Sequence, residues 1–104
     1  MAFLVCFKKP GVSFDWRDKA IYLDRNFYEF IFNNSAAGSI LKEISVLGYG
    51  DDMEVKDLDL NTLRPELIGI EHVSCVQGFI DVLDQAVSSK FSLMISGDMY
   101  PVLG

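Results

Sequence analysis

The chain reads as a small α+β domain, with about three helices packed on a small sheet that is mostly antiparallel or mixed. Three observations predict this class. Val73 to Ser89 (VSCVQGFIDVLDQAVSS), wound at ~100° per residue, separates into two halves. One half holds Cys75, Val76, Phe79, Ile80, Val82, Leu83, Ala86 and Val87; the other holds Gln77, Gly78, Asp81, Asp84, Gln85 and Ser88. Directly afterwards the period changes to two, with Phe91, Leu93 and Ile95 alternating with Ser92, Met94 and Ser96. Near the start, Phe3 to Phe7 (FLVCF) is an unbroken apolar run, long enough for a buried strand and too short for a helix. A helix that must bury half its surface, followed closely by a strand, needs a sheet to pack on. A strict βαβ alternation is absent, which argues against a doubly wound parallel sheet.

In chain order, the strand at 3–7 ends at Lys8-Lys9-Pro10-Gly11, a turn signal. A partner strand is expected within 12–23, either in Val12 to Asp18, where Phe14 and Trp16 sit at period two, or in Ala20 to Leu23, or in both. Asp24 is placed to cap a helix over 24–33, whose broad apolar arc holds Phe27, Tyr28, Phe30, Ile31 and Phe32; a strand is the rival reading of NFYEFIF. A second helix is expected over 37–47, with Ala36, Ile40, Ile44 and Leu47 inward, Lys42 and Ser45 outward, and Gly48 as its stop. Asp51 to Asn61 reads as a polar, acidic segment with a short strand near Glu54 to Leu58. Asn61 or Thr62 then caps a short turn containing Pro65, and Leu67 to Val73 is a strand or a loop. The last helix, 74–89, is expected to start at Ser74, because Ser74 and Gln77 have capping-box spacing. The strand at 91–96 and a turn at Ser96-Gly97-Asp98 come next, and the tail from Met99 offers an edge pairing.

The 104 residues make one domain, 1–104. Half are hydrophobic and mean hydropathy is +0.23, so the chain fills a core and is not a disordered tail. A net charge of −6 opposes binding to nucleic acid and to anionic membrane surfaces. No apolar run reaches the ~18 residues of a membrane span. MAFLVCFKKP does not read as a signal peptide, since its apolar run is short and its lysines follow that run. Two cysteines in a chain of this size suggest a reducing compartment, so a cytoplasmic location is expected, although the pair is also enough for one bond.

Catalytic chemistry is thinly represented. His72 lies three residues before Cys75, which is expected in the first turn of the last helix, and that proximity is the case for a Cys–His nucleophile. Against it, Cys75 falls on the apolar half, where a cysteine is a small hydrophobe, and Cys6 lies within the first strand. One histidine and two distant cysteines supply no zinc spacing. Asp57, Asp59 and Asn61 open like a calcium loop, but Thr62 stands where glycine is required and Ile68 where glutamate is. No phosphate-binding glycine motif is present, so no cofactor is expected. Asp81 and Asp84 share a polar helix face that solvation explains. Tyr28, Tyr49 and Tyr100 are candidates for a contact surface rather than for a cofactor site.

Charge is uneven along the chain. Residues 1–50 carry six basic and five acidic groups, and residues 51–104 carry three basic and ten acidic groups. Five of those ten, Asp51, Asp52, Glu54, Asp57 and Asp59, form one run interrupted only by Lys56. A solvated loop accounts for such a run, and so does a docking surface, where concentrated charge speeds encounter with a basic partner. In size, charge and lack of a catalytic set the chain resembles bacterial immunity proteins that neutralise toxins. That resemblance covers no motif and implies only a cytoplasmic inhibitor that binds a toxin's active or substrate-binding face. The charge pattern adds that a basic, toxin-like partner would suit the acidic run. Two other classes stand beside it: a small enzyme or ligand-binding domain using Cys75 and His72, and a homo-oligomeric subunit assembled through its Phe and Tyr side chains.

Overall fold

A computed structural model of the chain describes residues 2–12, 19–48 and 50–98. The first strand, β1 (Ala2–Lys8), holds the expected apolar run, with Phe3, Val5 and Cys6 fully buried. Its hairpin partner is β2 (Lys19–Leu23), the second of the two expected segments, antiparallel with Phe3 opposite Leu23 and a register shift between Val5 and Cys6. The alternative strand in 12–18 lies outside the described residues apart from Val12, which is exposed in the turn after Pro10.

Asp24 then starts α1 (Arg25–Asn34), accepting the Phe27 N–H at 3.0 Å, and the strand rival is set aside. The α1 core face is Phe27 and Ile31; Phe32 is exposed, under the Lys42 ammonium 5.1 Å from its ring. Tyr28 packs inward, 5.9 Å from the Phe3 ring. Tyr49 and Tyr100 lie outside the described residues.

The second helix is shorter than its sequence pattern. α2 (Ile40–Ser45) begins at a Ser39 cap, because Gly38 at φ +83° turns the chain and leaves Ala36 exposed. Its inward face is Ile40, Leu41, Ile44 and Ser45; the Ser45 hydroxyl is satisfied by donating to the Lys42 carbonyl at 2.7 Å. The helix ends before Leu47, so Gly48 is not its stop; the Gly48 N–H instead meets the Asp51 carboxylate at 3.0 Å.

The third strand, β3 (Asp52–Val55), starts two residues earlier than expected. It leads into a full helix, α3 (Leu58–Ile68), in place of a capped turn and the start of a strand or loop. The α3 core face is Leu60, Leu63 and Leu67, and Pro65 lies inside the helix on its exposed side. Burying three leucines gains about 1.5–3 kcal/mol each, more than the ~3 kcal/mol an interior proline costs. Turns over 69–75 lead to α4 (Val76–Ser89), which buries Val76, Phe79, Ile80, Leu83 and Ala86. Val87 is exposed although it falls in the apolar half. Gly78, from the polar half, faces β2 closely enough that a Cβ would lie 2.7 Å from Ile21 Cδ1.

The capping box at Ser74 does not form: α4 is preceded by Cys75 at φ +71°, and the Ser74 hydroxyl donates to Asp24 Oδ2 at 2.9 Å. The last strand, β4 (Ser92–Asp98), keeps the expected alternation, with Leu93 and Ile95 fully buried. It pairs antiparallel with β1 and β3, giving the order β2-β1-β4-β3. Among the described residues, four helices and this antiparallel four-stranded sheet form one α+β domain around a single apolar cluster. Gly97 allows the Gly48 backbone to press on the sheet, since a Cβ there would meet the Gly48 carbonyl oxygen.

Candidate functional site

The acidic run is divided between two elements. Asp51 and Asp52 are exposed at the start of β3, an edge strand, while Asp57 and Asp59 are exposed at the N-terminus of α3. Apart from the Asp51 contact to Gly48, no side-chain hydrogen bond or ion pair engages these four among the described residues.

Glu54 differs from them. It is half-buried, accepts Ser92 Oγ at 2.9 Å, and pairs with Lys8 Nζ at 3.1 Å, tying β3 to β4 and β1. The Ser92 hydrogen bond first, with Lys8 next among the stabilising contacts, holds its carboxyl below the ordinary value against the opposing effect of burial. It is therefore a sheet-linking group, already neutralised from within.

Cys75 and His72 are not joined by a hydrogen bond among the described residues. The exposed His72 ring lies edge-on to Phe30, with centroids 5.7 Å apart. Cys75 is half-buried, its sulfur 3.7 Å from Ser74 Oγ. Ser74 and Cys75 both neighbour Asp24, which links α1 to the turn before α4. Burial raises the Asp24 carboxyl, but hydrogen bonds from the Phe27 N–H, Ser74 and Cys75 outweigh it, and the net shift is downward.

Two features escaped the sequence reading. Glu66 on α3 reaches across to the N-terminus of α2, accepting the Leu41 N–H at 2.9 Å and the Ile40 N–H at 3.3 Å. An acid far from the helix it caps leaves no local pattern to detect. The second is a cleft of about 410 Å³ between the start of α3 and the end of α4. Lys56, Asp57, Leu58, Val87, Lys90 and Phe91 are among its lining residues. A second recess, beside the Lys8–Glu54 pair, shares Ser92 with it.

No group of three or more His, Cys, Asp or Glu is placed to hold a metal ion among the described residues. Nor is any helix among them long and apolar enough to cross a membrane. The chain matches no family model, no curated protein and no solved structure.

Proposed function

We propose that the protein is a small protein-binding module of the inhibitor or toxin-immunity type, docking a positively charged partner through exposed carboxylates. Asp51, Asp52, Asp57 and Asp59 carry the interaction. The observation behind this reading is that all four are solvent-exposed and form no ion pair among the described residues, so their charge is free to act outward. Glu54 is the exception within the run; its role is to hold the edge strand. Carboxylates on an edge strand also discourage non-specific strand pairing, leaving the edge selective for a basic surface. The physical gain is in encounter rate and partner choice more than in affinity.

The test begins with wild type and a variant carrying Asp51→Asn, Asp52→Asn, Asp57→Asn and Asp59→Asn, used as baits in host extract at low salt. A protein retained by wild type is purified and its association with both baits followed by stopped flow. Wild-type association should be about tenfold faster or more at low salt, converging on the variant as salt shortens the screening length from about 10 Å at 0.1 M to about 3 Å at 1 M. Equal association rates at low salt refute the acidic docking surface.

A further inference from the structure

The cleft between α3 and α4 combines three features, and of its lining residues only Asp57 belongs to the acidic surface. The first is charge. Lys56 and Lys90 both line it, and neither forms an ion pair or side-chain hydrogen bond among the described residues. Lys8 and Lys9 line the adjoining recess, so four of the chain's nine basic residues gather at this end of the sheet. The second is exposed apolar surface. Leu58 is 78% exposed and Val87 44% exposed, and they share the cleft with the half-buried Phe91 ring.

The third feature is backbone strain. Three non-glycine residues have positive φ among the described residues, and two of them, Asp57 at +51° and Lys90 at +60°, line this cleft. Lys90 ends α4 in the left-handed conformation that helix ends normally give to glycine. Its backbone hydrogen bonds to the last turn of α4 would be available to glycine as well, so they do not explain the side chain. Strain of this kind collects where a side chain is needed for a ligand.

We propose that this cleft binds a small aliphatic carboxylate, with Lys56 and Lys90 attracting the carboxylate and Leu58, Val87 and Phe91 covering the hydrocarbon body. The volume of about 410 Å³ falls within the range of small-molecule sites. An apolar lining with a few convergent polar groups is the usual character of such sites. Asp57, on the same rim, opposes a second negative charge and so favours a monoanion over a dianion. The proposal does not rest on the acidic docking surface, and its test does not involve a protein partner.

Octanoate is the probe, and octylammonium its charge-reversed control. Amide ¹H–¹⁵N spectra are recorded through a titration into the tens of millimolar. Octanoate should shift the amides of residues 56–61 and 86–92 saturably, with octylammonium at least about fivefold weaker. Lys56→Ala and Lys90→Gly should each weaken octanoate by about fivefold or more, while Lys42→Ala on α2 should not. Lys90→Gly also separates binding from folding: glycine accepts the left-handed backbone, so its melting temperature should be no lower than that of wild type even as binding falls. Equal binding of the two probes, shifts centred elsewhere, unaffected Lys56→Ala and Lys90→Gly variants, or no saturable response each overturn the proposal.

Discussion

Glu66 gives the sharpest test of how the helices are held together. A six-residue helix is too short to persist without tertiary support, and α2 begins with N–H groups that have no partner within the helix. The structure accounts for each. Ile40 and Leu41 donate to the two carboxylate oxygens of Glu66, at 3.3 and 2.9 Å, and Lys42 donates to Ser39 Oγ at 3.1 Å. Removing the carboxylate strands two donors that packing of Ile40 and Leu41 keeps from free hydration. Hydrogen bonds to a charged acceptor contribute about 1.5–3 kcal/mol, and the longer contact is the weaker one. Glu66→Ala should therefore destabilise by about 2 kcal/mol, about a 10 °C fall in Tm for a domain of this size. Glu66→Gln keeps one oxygen for Leu41 but turns an NH2 group toward Ile40, so it should cost about half as much. Glu71→Ala, in the exposed turn after α3, is the control and should stay within about 0.5 kcal/mol of wild type. Urea titrations of the four proteins, with equal slopes, supply the comparison. If Glu66→Ala matches the Glu71→Ala control, α2 does not depend on this cap and the inter-helix link is ornamental.

Leu83 is fully buried in α4, so Leu83→Ala should cost about 2–5 kcal/mol in the same titration, and Asp84→Ala on the half-exposed Arg64–Asp84 pair far less; equal effects would put the helix in the wrong phase. Gly97→Ala forces a Cβ against the Gly48 carbonyl, backbone that cannot rotate away, and should cost about 1–3 kcal/mol or more, read as a lowered Tm. Asp24 has a lowered pKa in the folded state, so its contribution is complete above its ordinary value of 3.8 and lost as pH falls through the lower folded value. Asp24→Asn should flatten that acid limb of the stability–pH curve; an unchanged limb would assign the acid sensitivity to other carboxyls. Cys75→Ser should leave capture of a partner intact provided the variant folds, whereas rapid native alkylation of Cys75 with loss of that capture would speak for thiol chemistry.

The parts of the fold visible in the sequence are those set by a single local pattern. The alternation of Leu93 and Ile95 and the apolar half of α4 depend only on periodicity, and both survive in the structure except at Val87, which is exposed, and Phe91, which lies just before the strand. Asp24 is readable as a cap because it acts on its own helix. The α3 helix is hidden because Pro65 and the nearby acids suggest a break, although Leu60, Leu63 and Leu67 already carry helical spacing. Ser74 misleads in the opposite direction: its capping-box spacing is sound, but the hydroxyl is claimed by Asp24, fifty positions away in sequence. The acidic run is legible as composition and illegible as geometry. Nothing local marks Glu54 as the member engaged by Lys8 and Ser92. The cleft is equally invisible, since Lys56 and Lys90 come to line one recess only after α3 and α4 pack together.

The two proposed sites, one for a cationic partner and one for an anion, require the two fields to be separated, and β3 provides part of that separation. The strand runs from the exposed Asp52 to Val55, with Asp51 before it and Lys56 after it. At ~3.4 Å per residue, Asp51 and Lys56 are about 17 Å apart, roughly two screening lengths at physiological salt. Glu54, between them, is paired with Lys8, which offsets its charge, although the Lys56 charge also acts on it from the cleft side. An anion at Lys56 and Lys90 is therefore governed by nearby charges more than by the net −6 of the chain. Asp57 and Asp59 are the members of the acidic run that adjoin the cleft, Asp57 lining it directly. This divides the acidic surface into two experimentally separable halves. Asp51→Asn with Asp52→Asn should slow association with a basic partner and leave octanoate binding untouched. Asp57→Asn should slow association and also tighten octanoate, because it removes the carboxylate that opposes the ligand. If Asp51→Asn with Asp52→Asn alters octanoate binding as strongly as Asp57→Asn does, the two fields are not separated and the cleft senses the charge of the whole surface.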